Sequence, residues 1–149
     1  MNAGIKKNIK VKSLDEYATL FVNLVNADTS AIVQLMDGSD RVVKTVKSKG
    51  EKADFYFITP GTYYLRLYYD RNSNGIWDTG EFDKRLQPEE VFYYPGAIKL
   101  RALWEVAQSW NPTAVPIINQ KPGKITKQKP DKEKTIKSRN AERERNKKK

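Results

Sequence analysis

Twelve consecutive residues carry the densest chemistry in this chain: Asp70, Arg71, Asn72, Ser73, Asn74, Gly75, Ile76, Trp77, Asp78, Thr79, Gly80 and Glu81. Within the run, oxygen-bearing side chains fall at positions 1, 3, 5, 9 and 12, and glycine falls at position 6. That is the spacing of a calcium loop, in which one short segment curls around a hard cation that takes six to eight oxygen ligands. In this reading Asp70, Asn72 and Asn74 turn three oxygens inward and Gly75 permits the sharp turn. The backbone carbonyl of Ile76 adds a ligand, Asp78 binds directly or through water, and Glu81 closes the site with two oxygens. Trp77 is expected to pack inward and anchor the loop. Because Asn72 and Asn74 are neutral, the ligand charge rests on Asp70, Asp78 and Glu81 alone. The expected affinity is therefore weak, on the order of 10⁻⁵ to 10⁻³ M, which suits a structural ion and not a signalling one. The competing reading is a polar surface turn, since Asp, Asn, Ser and Gly are ordinary turn residues. Glycine at position 6 together with glutamate at position 12 favours calcium.

Other chemistry is narrowed by what the chain lacks. It has no cysteine and no histidine among its 149 residues. Disulfides, thiolate nucleophiles, cysteine zinc sites and the Ser-His-Asp and Cys-His arrangements are all excluded. Catalysis by a carboxylate pair would need acids outside the loop, and none stands out, so the chain is read as non-enzymatic. No stretch approaches the roughly 18 apolar residues of a membrane span. The first residues have no apolar core of the signal-peptide kind, so an exported form would carry its signal elsewhere and this chain would be one domain of a longer protein.

The elements expected to position the loop are strands. Residues 6–14 alternate weakly around Ile9 and Val11. Residues 18–25 put Leu20, Val22 and Leu24 on one face, with Phe21 and Val25 on the other. Residues 31–36, 41–46 and 54–58 follow, separated by a turn at Asp37, Gly38, Ser39 and Asp40 and by a charged hairpin loop at 47–52. The clearest period of two places Tyr63, Leu65, Leu67 and Tyr69 on one face and Tyr64, Arg66 and Tyr68 on the other. This strand runs directly into Asp70. Residues 91–94 form a short strand stopped by Pro95 and Gly96. Residues 97–106 alternate again, with Ile98, Leu100, Ala102, Trp104 and Val106 inward. No helix is expected before residue 120. The sum is an all-β, seven- or eight-stranded sandwich spanning residues 5–111. With strands flanking the loop, a helix-loop-helix switch has no parts to act on, and calcium would instead pin one long loop.

From Pro112 the composition changes. Residues 112–149 are rich in proline and lysine and are read as a disordered basic tail. Residues 119–149 carry 13 Lys or Arg against 4 Asp or Glu, so of the chain's net +10 only about +1 belongs to the remainder. Deleting 119–149 is expected to leave the melting temperature almost untouched. The tail offers an anionic polymer a nonspecific contact, but no specific nucleic-acid readout, since no aromatic interleaves it. Outward Tyr64 and Tyr68, flanking Arg66, are either a platform for a ligand such as a glycan or ordinary cross-strand packing, and packing is favoured. Glu89 and Glu90 read as a solvated loop edge.

Two resemblances attach to these residues. Tyr69, Asp70, Asn72, Asn74, Gly75, Asp78, Gly80 and Glu81 together resemble the calcium loops of B-repeat domains in bacterial surface adhesins, which are transthyretin-like or Cna-B-like sandwiches. The entry Pro60-Gly61-x-Tyr63 is similar to theirs. Residues 65–70, Phe92-Tyr93-Tyr94-Pro95 and residues 98–102, with the Lys-rich ending, resemble the C-terminal domain of exported bacterial proteins that carry SbsA-type Ig-like domains. The resemblance covers roughly residues 5–149 and implies that the sandwich is of the Ig-like or transthyretin-like (prealbumin-like) kind. It implies an exported protein of the cell envelope or cell surface, with the preceding Ig-like domain outside this chain. The implied task is that of a calcium-stiffened structural or interaction module. Its partner would be a cell-surface glycan, an envelope polymer or another protein.

Overall fold

A computed structural model of the chain describes residues 9–125. Eight strands follow one another: β1 (Ala18–Leu24), β2 (Ala31–Met36), β3 (Val42–Lys47), β4 (Lys52–Ile58), β5 (Gly61–Tyr69), β6 (Val91–Tyr93), β7 (Ile98–Leu100) and β8 (Glu105–Trp110). They form two sheets. One has the order β4-β1-β8, the other β3-β2-β5-β6, with β7 also pairing β5. Helical structure among the described residues is confined to short 3-10 turns at Leu14–Glu16, Ile117–Asn119 and Gly123–Ile125. The chain is an all-β sandwich.

Period-two alternation builds its core. Leu20, Val22 and Leu24 of β1 and Phe55 of β4 are buried against Val33 and Leu35 of β2, Leu65 and Leu67 of β5, and Phe92 of β6. Trp110, at the end of β8, closes the same cluster. Strand β1 lies between an antiparallel neighbour (β4) and a parallel one (β8). The turn from β2 to β3 is held by Asp37. Its Oδ1 accepts the backbone N–H of Ser39 at 2.8 Å and of Arg41 at 3.1 Å. The Arg41 and Ser39 N–H groups bonded to it hold its carboxyl below the ordinary value.

Two expected strands come out differently. Residues 9–13 are not in a strand, and Ile9 and Val11 are exposed. Two apolar residues do not bury enough surface to recruit a partner strand; residues 5–8 lie outside the described residues. The run 97–106 is two strands, broken at residues 101–104. Leu103 adopts φ of 65° there, and the Trp104 N–H bonds the Arg101 carbonyl at 3.1 Å. Ala102 and Trp104 are consequently exposed, and the Arg101 guanidinium stacks 5.1 Å from the Trp104 ring.

The outer face of β2 and β5 positions the candidate site. Register pairs Ile32 with Tyr68, Gln34 with Arg66, and Met36 with Tyr64. Arg66 donates to Gln34 Oε1 from Nε at 2.9 Å and from Nη2 at 2.6 Å. On either side of this polar pair the face is covered. Met36 and Tyr64 are buried with Ile125, alongside Tyr93. Tyr68 is buried too, and its hydroxyl donates to the Gly75 carbonyl at 3.0 Å. Tyr64 and Tyr68 thus form no exposed platform.

The cover over Tyr64 comes from residues 112–125, the first part of the expected tail. Gln120 is buried. Its Nε2 donates to the carbonyls of Pro112 (2.7 Å) and Val115 (2.6 Å), while its Oε1 accepts the Tyr93 N–H at 2.9 Å. Lys121 lies 5.1 Å from the Tyr93 ring and 3.5 Å from Asp40. This stretch is a strap packed on the second sheet. The remainder of the expected tail, residues 126–149, lies outside the described residues.

Candidate metal centre

Strand β5 delivers Asp70 to the start of the loop, and the Asp70 N–H continues the sheet by bonding the Ser30 carbonyl at 3.1 Å. Asp70 is only 3 % exposed. Its two carboxylate oxygens accept the N–H groups of Asn74 (3.1 Å, Oδ1) and Gly75 (2.8 Å, Oδ2), so the chain curls back over the first residue of the run. Gly75 sits at φ of 80°, a conformation that favours glycine and makes this reversal possible. Two side-chain turns tighten the coil. Asn72 Oδ1 accepts the Asn74 N–H at 3.2 Å, and Asn74 Oδ1 accepts the Ile76 N–H at 2.9 Å.

The third, fifth and ninth positions converge. Asn72 Nδ2 and Asn74 Nδ2 (3.0 Å) both donate to Asp78 Oδ2. Each of the two amide oxygens keeps a second lone pair beyond the backbone N–H it accepts. Asp70, Asn72, Asn74 and Asp78 are therefore gathered in one turn of chain. Trp77 does not pack inward as expected: it is exposed, and it is held by its Nε1, which donates to the Glu89 carbonyl at 2.8 Å.

Glu81 is placed differently. It opens a tight hairpin in which Glu81 and Leu86 exchange two backbone hydrogen bonds, each of 3.0 Å. Its carboxylate is ion-paired to Lys84 Nζ at 2.9 Å. It lines the same groove as Asn72, Asp78 and Glu89, a volume of about 440 Å³. Among the described residues no group of three or more His, Cys, Asp or Glu side chains is arranged to hold a metal ion. A cation here would draw on the Asn72 and Asn74 amide oxygens and on main-chain carbonyls as well as carboxylates, which is the donor chemistry calcium accepts.

The residue that sequence reasoning missed is Glu89. It is 7 % exposed, not a solvated edge. Its Oε1 accepts the Arg71 N–H at 2.9 Å and its Oε2 the Asp78 N–H at 3.2 Å. No cationic side chain among the described residues is ion-paired to Asp70, Asp78 or Glu89. Asp70, Asp78 and Glu89 are thus held by backbone N–H groups and amides, while Glu81 is paired with Lys84. Compared with known proteins, the chain matches no family model and no curated protein sequence.

Proposed function

We propose that the chain is a calcium-stabilised, non-enzymatic structural or interaction module of an exported bacterial cell-envelope protein. Residues 70–81 would hold one structural calcium ion through Asp70, Asn72, Asn74, the Ile76 carbonyl, Asp78 and Glu81, the last after exchanging Lys84 for the cation. The ion would neutralise Asp70 and Asp78, which have no basic partner among the described residues, and would fasten the loop to the sandwich. The observation that carries this reading is the convergence of Asn72, Asn74 and Asp78 beside a buried Asp70, in a twelve-residue run with the required spacing. The envelope location follows from the resemblance to adhesin repeats and exported C-terminal domains. A surface glycan, an envelope polymer or another protein is the partner this location supplies. The burial of Tyr64 and Tyr68 removes them from any glycan platform.

Isothermal titration of calcium into metal-free protein tests it. The expected result is one site with a dissociation constant on the order of 10⁻⁵ to 10⁻³ M. Magnesium, which dehydrates reluctantly and demands octahedral geometry, should bind far more weakly. Asp70→Ala and Asp78→Asn should each reduce calcium affinity more than tenfold. Unchanged binding in both variants would remove the loop from the site.

A further inference from the structure

We propose that Glu89 is a positioning residue that holds the loop in its coiled form by gripping the backbone. The link to an ion rests on the calcium reading above; the grip itself rests on geometry alone. Every polar group of Glu89 is committed to the loop. Its two carboxylate oxygens accept from Arg71 and Asp78, its N–H donates to the Asp78 carbonyl at 3.1 Å, and its carbonyl accepts from the Trp77 indole at 2.8 Å. Arg71 follows the first residue of the run and Asp78 is the ninth. One buried side chain therefore ties the outgoing limb of the coil to the returning limb, at the points where it would spring apart.

The chemistry requires a carboxylate. Two N–H groups approach two oxygens, and both oxygens must accept. A glutamine of the same shape would keep one acceptor and turn an NH₂ group toward the other N–H, leaving two donors opposed. The tie also fixes the backbone of Asp78, whose carboxylate is where the Asn72 and Asn74 amides meet. Glu89 thereby orients the loop's side chains without entering their cluster. Partners of this kind, one step removed from an ion, alter metal affinity by about 10- to 100-fold when replaced.

The test uses Glu89→Gln in the full chain, with two readouts. The first is amide hydrogen exchange in EDTA, free of any cation. Arg71 and Asp78 should be protected in the parent and lose protection in the variant, while Leu35, deep in β2, stays protected and reports an intact fold. The second is calcium titration, where the variant should bind at least tenfold more weakly. Retained protection at Arg71 and Asp78 in the variant would overturn the proposal, whatever the ion does. Lost protection with unchanged calcium affinity would also overturn the positioning role. If the parent binds no calcium yet Glu89→Gln frees the two amides, the grip stands and the calcium reading alone falls. Glu89→Asp, too short to span both N–H groups, should behave as Glu89→Gln does.

Discussion

Gly75 and Gly80 both sit at positive φ, yet their surroundings differ. Gly75, at φ of 80°, has nothing within 4 Å of where a side chain would begin. Gly80, at φ of 78°, would place a Cβ 2.6 Å from the Leu86 carbonyl oxygen and 2.7 Å from the Pro88 nitrogen. Gly75→Ala should therefore cost about 1–2 kcal/mol, the left-handed penalty alone. Gly80→Ala should cost more, because backbone must move, and paired melting curves would show the order. Tyr68 makes a second prediction. Burial, and the negative charges of Asp70 and Glu89, push its phenol above the ordinary value. A raised folded pKa means its contribution is full below the unfolded value near 10 and is lost as pH rises through the folded one. Tyr68→Phe, which loses only the bond to the Gly75 carbonyl, should cost about 0.5–1.5 kcal/mol at neutral pH and flatten that alkaline loss. At this scale the spacing of Asp70, Asn72, Asn74, Gly75 and Asp78 was readable, because the bonds that coil the loop join residues two to six apart. Glu89 was not. Its ties span 11 and 18 residues, and beside it Glu90 has the same chemistry and is exposed.

Strands β1 to β6 begin and end within a few residues of where alternation placed them; all but β3 bury residues in a shared core, and β3, with no buried residue, reaches it only through Val46. Alternation misled where the backbone turns without glycine or proline. Leu103 supplies the positive φ at the break between β7 and β8, and nothing in its residue type announces it. Alternation also divides a strand into two faces but is silent on what covers the outer one. Tyr64 and Tyr68 lie on the predicted face, yet both are buried, one with the strap's Ile125 and the other tied to Gly75 of the loop. The strap was hidden by composition: Gln120 and Lys121 make three contacts to the sandwich, at Tyr93 and Asp40, and Ile125 is buried beside them, too little to raise a hydrophobic pattern. Truncation after Ile118, which removes Gln120, Lys121 and Ile125, should accordingly lower stability, against the expectation that residues 119–149 can be deleted without effect. Ile125→Ala alone should cost about 2–5 kcal/mol, as for a large buried aliphatic side chain. Chemical denaturation of the two variants measures both.

For the molecule as a whole, the sandwich supplies a rigid frame, and two segments lie over the outer face of its second sheet. One is the strap; the other is the loop, whose Asp70 and Asp78 are held by backbone N–H and amide groups and whose Glu81 is paired with Lys84. On the calcium proposal, a cation would bring positive charge to Asp70 and Asp78, which no basic side chain among the described residues pairs. Among the described residues no helix is long and apolar enough to cross a membrane. Of the chain's net charge of +10, +9 lies in residues 119–149, with 13 Lys or Arg against 4 Asp or Glu. The most direct test of calcium stabilisation is thermal unfolding in excess EDTA and again in millimolar calcium, with magnesium as control. A ligand bound only by the folded state raises stability by about 2.7 kcal/mol at 100 times its dissociation constant. A clear rise in melting temperature with calcium, absent with magnesium and absent in Asp70→Ala, is the predicted result. An identical melting temperature in EDTA and calcium would contradict it, and residues 70–81 would then be a turn held by its own hydrogen bonds.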